Sequence, residues 1–386
     1  MTKRKIRLFD IKLSNATKKE VNDVLSSGWL STGSRVAEFE RQLSKILNVP
    51  YVAAVSSGTA ALHLALESVG DFKEAEIIST PFTFVATVEA IMLVGAKVVL
   101  ADIDSETLNI SAEDTARKIS KKTKAIVPVD IAGCPADYSG LRKLCRARSL
   151  KLISDSAHAL GTEYKGKTMP ELADVSTYSF YPTKNITSAE GGAVASKNKK
   201  LIEKVRLLSR HGLTGNAFER QKSGAWSYDV PVFGYKANLS DIHAAIGIGQ
   251  LKNFEKSQQR KEKLANRYLA NLNQYSEFVR LPLVKKGIKH SWHLFIIQLN
   301  LSGLRIDRNQ FIAEMSKRAV ECGVHYQPIF ELSFYRKTLN LKASDFPNTA
   351  KAGKSVVTLP LHTLLKMSDV DYVCECLTDI LSRNRR

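Results

Sequence analysis

A mostly parallel β-sheet flanked by helices, with a smaller α+β domain at the C-terminal end, is the architecture this sequence predicts. Three observations carry that α/β reading. Between residues 51 and 195, short apolar runs alternate with amphipathic stretches. The residues with chemical potential fall just after those runs, where open α/β sheets hold ligands. Beyond residue 251 the pattern becomes a long charged helix. Composition agrees: 386 residues at 44% hydrophobic and 25% charged suit a globular protein of about two domains at ~150 residues each, and exclude disorder, collagen and coiled coil.

Taken in order, Tyr51–Val55 reads as the first strand, followed by Leu62, Ala65, Leu66 and Val69 at helical spacing. Glu76–Ser79, Lys97–Leu100, 125–129 and 150–154 are further strands, with helical patterns over 84–93 and 138–148 between them. Helix resumes after Ser196 through Arg210; a stretch rich in Gly and aromatics, 212–234, precedes a helix capped by Ser240-Asp241. Residues 251–272 form a long charged helix leading into the second domain. The expected division is 1–251 and 252–386, the latter with strands at Phe295–Leu299 and 324–327.

No apolar stretch approaches the ~18 residues of a membrane span, and no apolar run follows the basic N-terminus as a secretory signal would require. A cytoplasmic protein with no membrane role is expected. The five cysteines, Cys134, Cys145, Cys322, Cys374 and Cys376, have no metal-type spacing and read as reduced thiols, with no metal site.

Three motifs carry chemistry. Ser56-Ser57-Gly58-Thr59-Ala60 joins a strand to a helix N-terminus, where free N–H groups and the helix dipole suit a phosphate; alone, it is equally a capped helix. Asp155 follows a strand directly, and serves either as a cap or as a carboxylate facing a protonated heterocyclic nitrogen. His158 lies three residues on. Lys184, in the turn after Thr177-Tyr178-Ser179-Phe180-Tyr181-Pro182, is a surface lysine or, if enclosed, an amine able to condense with a carbonyl.

In combination and order, these motifs resemble the DegT/StrS-type sugar aminotransferases. These are a branch of the fold type I enzymes that use pyridoxal 5′-phosphate. The resemblance also includes Gly28-Trp29-Leu30-Ser31-Thr32-Gly33, Pro81-Phe82-Thr83-Phe84-Val85-Ala86-Thr87, Glu190-Gly191-Gly192, the segment 234–246 and Leu359-Pro360-Leu361. It implies that Lys184 holds the cofactor and moves protons, that Asp155 pairs with the ring nitrogen, and that Phe84 stacks on the ring. It places His158 over the ring or its hydroxyl, as a third catalytic residue. Gly58, Thr59 and Ser179 would cup the phosphate, with Asn238 reaching it across a homodimer interface to give shared active sites. Lys236 and His325 would face the substrate. Relatives often read Gly-Tyr-Asn-Tyr-Arg where this chain has Gly234-Tyr235-Lys236-Ala237-Asn238, a departure at Lys236, Ala237 and Asn238. The implied reaction passes the amino group of L-glutamate to a nucleotide-linked keto sugar, a 4-keto-6-deoxyhexose aminated at the 4-position, in polysaccharide, glycan or amino-sugar biosynthesis.

Two other classes compete: a dehydratase or lyase of the same fold, and a basic regulator of nucleic acid. The net charge of +19 is spread over clusters without interleaved aromatics, which argues for solvated faces that attract small anions rather than for nucleic-acid binding. Ala352-Gly353-Lys354-Ser355 lacks the upstream Gly of a P-loop, and Gly247-Ile248-Gly249 lies in a helical pattern, where close packing explains it better than a dinucleotide turn.

Overall fold

The computed structural model describes residues 5–214 and 226–386; the middle of the 212–234 stretch and the first four residues, part of the basic N-terminus, lie outside the described residues. The strands are β1 (Tyr51–Val55), β2 (Glu76–Ser79), β3 (Lys97–Leu100), β4 (Thr123–Ile126), β5 (Lys151–Asp155), β6 (Glu163–Tyr164), β7 (Val175–Ser179), β8 (Gly192–Ser196), β9 (Val279–Arg280), β10 (Ile288–Lys289), β11 (Phe295–Leu299) and β12 (Val356–Leu359). The helices are α1 (Asn15–Ser27), α2 (Ser34–Leu47), α3 (Gly58–Val69), α4 (Val85–Leu93), α5 (Ala112–Lys118), α6 (Tyr138–Arg148), α7 (Met169–Leu172), α8 (Lys199–Leu208), α9 (Asp241–Leu251), α10 (Phe254–Leu272), α11 (Arg308–Lys317), α12 (Ser333–Thr338), α13 (Pro347–Ser355) and α14 (Met367–Arg383).

Among the described residues the central sheet has seven strands in the order β1-β8-β7-β5-β4-β2-β3. The pairs from β3 across to β7 are parallel. β8 runs antiparallel to both its neighbours, β1 and β7, an insertion that apolar periodicity alone does not reveal. Strands β2, β4 and β5 are buried beyond their first one or two residues, as expected where helices cover both faces. The second sheet, β12-β11-β9, is antiparallel. Its core is shared with α10, α11 and α14 and includes Leu264, Phe295, Phe311, Val357 and Leu377, together with Ile6 from the N-terminus.

The expected strand at 324–327 does not form. Gly323 makes one bridge to Thr358, and the chain then turns over the site, while Val356–Leu359 is the strand beside Phe295–Leu299. Val324-His325-Tyr326-Gln327 alternates apolar and polar residues as a half-buried strand does, whereas Val356–Leu359 is buried throughout and takes the place in the sheet. The strand expected at 125–129 ends at Ile126, with Val129 making only a bridge to Asp155.

Local sequence explains the helices that bear on the site. Ser57 caps α3 by accepting from the Ala60 amide at 3.0 Å, and Ser240 caps α9 at His243. Asp241 does something else: its carboxylate accepts from the amides of Gly33 (2.8 Å), Val36 (3.0 Å) and Arg35 (3.2 Å), capping α2 from another helix. Gly247 and Gly249 sit where α9 meets α2 and α1. An added Cβ would lie 2.5 Å from the Phe39 ring or from the Thr17 Cα, respectively. Close helix packing therefore accounts for both glycines. Gly353, in the P-loop-like tetrapeptide, packs on Pro328 inside α13. All five cysteines are free thiols, four of them buried. Among the described residues no helix is long and apolar enough to cross a membrane.

Candidate active site

The ends of β1, β8 and β7 converge under the N-terminus of α3, because Gly192 stands opposite both Val55 and Ser179 in the ladder. The approach is tight. A Cβ on Gly58 would lie 2.8 Å from that of Ser179, and one on Gly192 would lie 2.3 Å from the Ser57 carbonyl oxygen. Gly58 and Thr59 open the helix, so their N–H groups have no intrahelical acceptor. The Ser179 hydroxyl stands across from them. This cradle of donors at a helix terminus fits a phosphate.

One strand further, Asp155 is the last residue of β5 and lies opposite Thr177 of β7. It is buried. One of its oxygens accepts from the Thr87 hydroxyl at 2.7 Å and the other from the Ala157 amide at 3.2 Å; Thr87 in turn contacts Thr83 at 2.8 Å. Burial raises Asp155 above the usual carboxylate range, against those hydrogen bonds and the charge of Lys184. Behind it, Asp130 is wholly buried and pushed up by desolvation to about 6; it accepts from Ser156 (2.7 Å), the Ala136 amide (3.0 Å) and Tyr138 (3.1 Å). That network pins the β4 and β5 ends together.

Lys184 sits half-buried in the turn after β7, its amide bonded to the Tyr181 carbonyl at 2.9 Å. Burial lowers its ammonium to about 8, and Asp155 partly opposes this. An amine poised there is available as a nucleophile and a proton carrier near neutral pH.

His158 is buried, and its hydrogen bonds fix its tautomer. Nδ1 accepts from the Ala132 amide at 3.2 Å, so the proton is on Nε2, which donates to the Tyr326 hydroxyl at 2.9 Å. Ala132 adopts a left-handed φ of 58°, and it is this conformation that accompanies its amide's bond to the imidazole. The Tyr326 ring lies 5.9 Å from His158, 6.0 Å from Phe84 and 5.1 Å from His325. Phe84, just before α4, is 56% exposed and free to cover a ligand. His325 bonds Thr358 at 2.8 Å, and burial brings it down to about 4. His158 and His293 are likewise pushed well below 6.5, by burial first and Lys184 second or third. All three imidazoles are therefore neutral at pH 7.

The structure thus gathers Gly58, Thr59, Phe84, Asp155, His158, Ser179, Lys184 and His325. Asn238 lies beside the same cradle within its own chain: its backbone bridges Val55, its Nδ2 donates to the Thr32 hydroxyl at 2.7 Å, and its buried Oδ1 has no partner among the described residues. Lys236 is exposed and bridges Arg210 through backbone only. Sequence reasoning missed Thr87, Asp130, His293 and Tyr326 as site residues. Thr87 lies inside the quoted Pro81–Thr87 motif and Tyr326 directly follows His325, whereas nothing local marks Asp130 or His293.

A model of the DegT/DnrJ/EryC1/StrS aminotransferase family matches residues 12–378. The spore coat polysaccharide biosynthesis protein SpsC of Bacillus subtilis is 35% identical over 365 residues, 94% of each chain. The putative sugar aminotransferase Spr1654 of Streptococcus pneumoniae, solved in PMP and PLP forms, has 31% identity; its PMP form covers 98% of this chain and 99% of its own with a TM-score of 0.91. PseC of Helicobacter pylori, an aminotransferase involved in pseudoaminic acid biosynthesis, has 30% identity, 98% and 100% coverage and a TM-score of 0.92.

Proposed function

Because the chain belongs to the DegT/DnrJ/EryC1/StrS aminotransferase family, we propose that it moves an amino group from L-glutamate to a nucleotide-linked 4-keto-6-deoxyhexose. The observation that carries this reading is the pairing of a buried strand-end carboxylate, Asp155, with an enclosed amine, Lys184, beside a glycine cradle. Pyridoxal 5′-phosphate fits that set. When bound, it supplies a sink for the electron pair released at the carbon bearing the transferred nitrogen. The amides of Gly58 and Thr59 and the Ser179 hydroxyl hold its phosphate, and Asp155 faces its ring nitrogen. Thr87 orients Asp155, and Phe84 covers the ring.

Lys184 takes and returns the proton, and a value of about 8 leaves both of its forms populated near neutral pH. His158 donates through Nε2 to Tyr326, which frees the tyrosine hydroxyl proton for an acceptor on the ligand side. His325 and Lys236 face the sugar substrate.

The same reading includes a homodimer, with Asn238 completing the partner's phosphate site. Its support is the apolar stretch Trp226, Tyr228, Val230, Val232 and Phe233, exposed on the single chain, and the unpartnered Asn238 Oδ1. The division at 251/252 rests on the separate core around β9, β11 and β12.

The test is incubation of purified protein with L-glutamate and UDP-, dTDP- or GDP-linked 4-keto-6-deoxyhexoses. One 2-oxoglutarate should form per aminated sugar. Loss of water from the sugar without 2-oxoglutarate would instead establish the dehydratase.

A further inference from the structure

Lys261, on α10, is a buried ammonium with no counter-ion. It is 5% exposed, and no carboxylate lies within ion-pair distance of it among the described residues. Among the described residues its hydrogen bond is to the Asn185 side-chain oxygen at 2.9 Å. Asn185 is locked in that orientation, since its NH₂ group donates to the carbonyls of Leu160 (2.9 Å) and Ser291 (3.3 Å). The ammonium therefore keeps donors to spare. A lone buried charge is costly unless something pairs with it.

Lys261 lines a cavity of about 290 Å³ that it shares with Lys184, Asn185, Gln250 and Ser257, with Asp10 at the exposed rim. That volume is room enough for a five-carbon amino dicarboxylate.

We propose that Lys261 binds the side-chain carboxylate of the amino donor, in a pocket that also presents Lys184, and so selects a short acidic amino acid. The proposal rests on the aminotransferase reading and adds the residue that recognises the donor. Asn185 steers the ammonium, while Gln250 and Ser257 offer neutral polar contacts along the chain of the ligand. Asp10 is engaged with Arg7 at 3.8 Å and with the Ile11 amide at 2.9 Å, outside the buried end. Burial brings Lys261 down to about 7, an effect that a bound carboxylate reverses.

Calorimetric titration of the holoenzyme tests this with ligands that cannot react. Glutarate carries both carboxylates, valerate one, and UDP tests the alternative that the anion is a nucleotide diphosphate. Wild-type protein should bind glutarate at least about tenfold more tightly than valerate, within the range of a charge-assisted hydrogen bond. Lys261→Met should erase that difference and Lys261→Arg retain much of it, with UDP binding unchanged. In single turnover, Lys261→Met should need about tenfold more L-glutamate, with L-alanine unaffected. Lys261→Gln replaces Lys261→Met if the latter does not fold.

Equal binding of glutarate and valerate by wild type, an unchanged preference in the variant, or a loss confined to UDP would each overturn the proposal. If no keto sugar is accepted, the proposed reaction fails, yet the glutarate contrast still decides the role of Lys261.

Discussion

At the scale of single residues, the chemistry rests on protonation states set by burial. Lys184 stands at about 8, so its neutral fraction rises as pH passes through that value, well below that of an ordinary lysine. Capture of cofactor by the apoprotein should accordingly accelerate with pH around a midpoint near 8, measured by stopped-flow absorbance; a midpoint near 10.5 would show an exposed, unperturbed amine. Borohydride reduction of the holoenzyme should fix the cofactor to the Lys184 peptide, and Lys184→Arg should be inactive because a guanidinium stays protonated. Asp155→Ala should reduce turnover by roughly 10³-fold or more, since the ring nitrogen loses its partner. Thr87→Val removes only the hydroxyl that orients Asp155 and should cost about 1 kcal/mol, near fivefold in kcat. For His158, ¹⁵N NMR should report the Nε2–H tautomer down to mildly acidic pH.

At the scale of elements, the cradle depends on three strand ends and a helix terminus meeting without side chains between them. Gly58→Ala places a methyl 2.8 Å from the Ser179 Cβ and should shift α3, weakening cofactor affinity by about tenfold to a hundredfold in an equilibrium titration. Gly192→Ala meets the Ser57 carbonyl, which is backbone and cannot swing away, so it should also lower thermal stability. Asp241→Asn tests a different joint. It retains shape but loses the charge that caps α2 across 200 residues of sequence, and it should destabilise the protein by about 1 kcal/mol or more, seen in denaturant melts.

At the scale of the whole molecule, the shared-site reading has a genetic test. Lys184→Ala and Asn238→Asp homodimers should each be weak. Mixed dimers carry one site with both lesions and one with neither, so co-expression should restore up to about a quarter of native activity under random assortment. Activity no higher than the parental average, with mixed dimers present by native mass spectrometry, would confine Asn238 to its own subunit's site. The bond from Asn238 to Thr32 makes that outcome a real contrast.

Much of the fold and of the site was legible without coordinates, for one physical reason. In a parallel sheet every strand ends at the same edge, so residues that directly follow apolar runs are brought together whatever their separation in sequence. Gly58, Asp155 and Lys184 could be read in this way, as could β1, β2, β3, β11 and the glycines of α9, while Ser179 came from the family resemblance. Other features are set by pairings between distant segments. The antiparallel entry of β8, the choice of Val356–Leu359 over 324–327 as a strand, and the capping of α2 by Asp241 belong there. So do the tautomer of His158, set by Ala132 and Tyr326, and the isolation of Lys261. Local periodicity records which face of a segment is apolar; only tertiary packing decides which partner fills its hydrogen bonds, and which charge is buried without one.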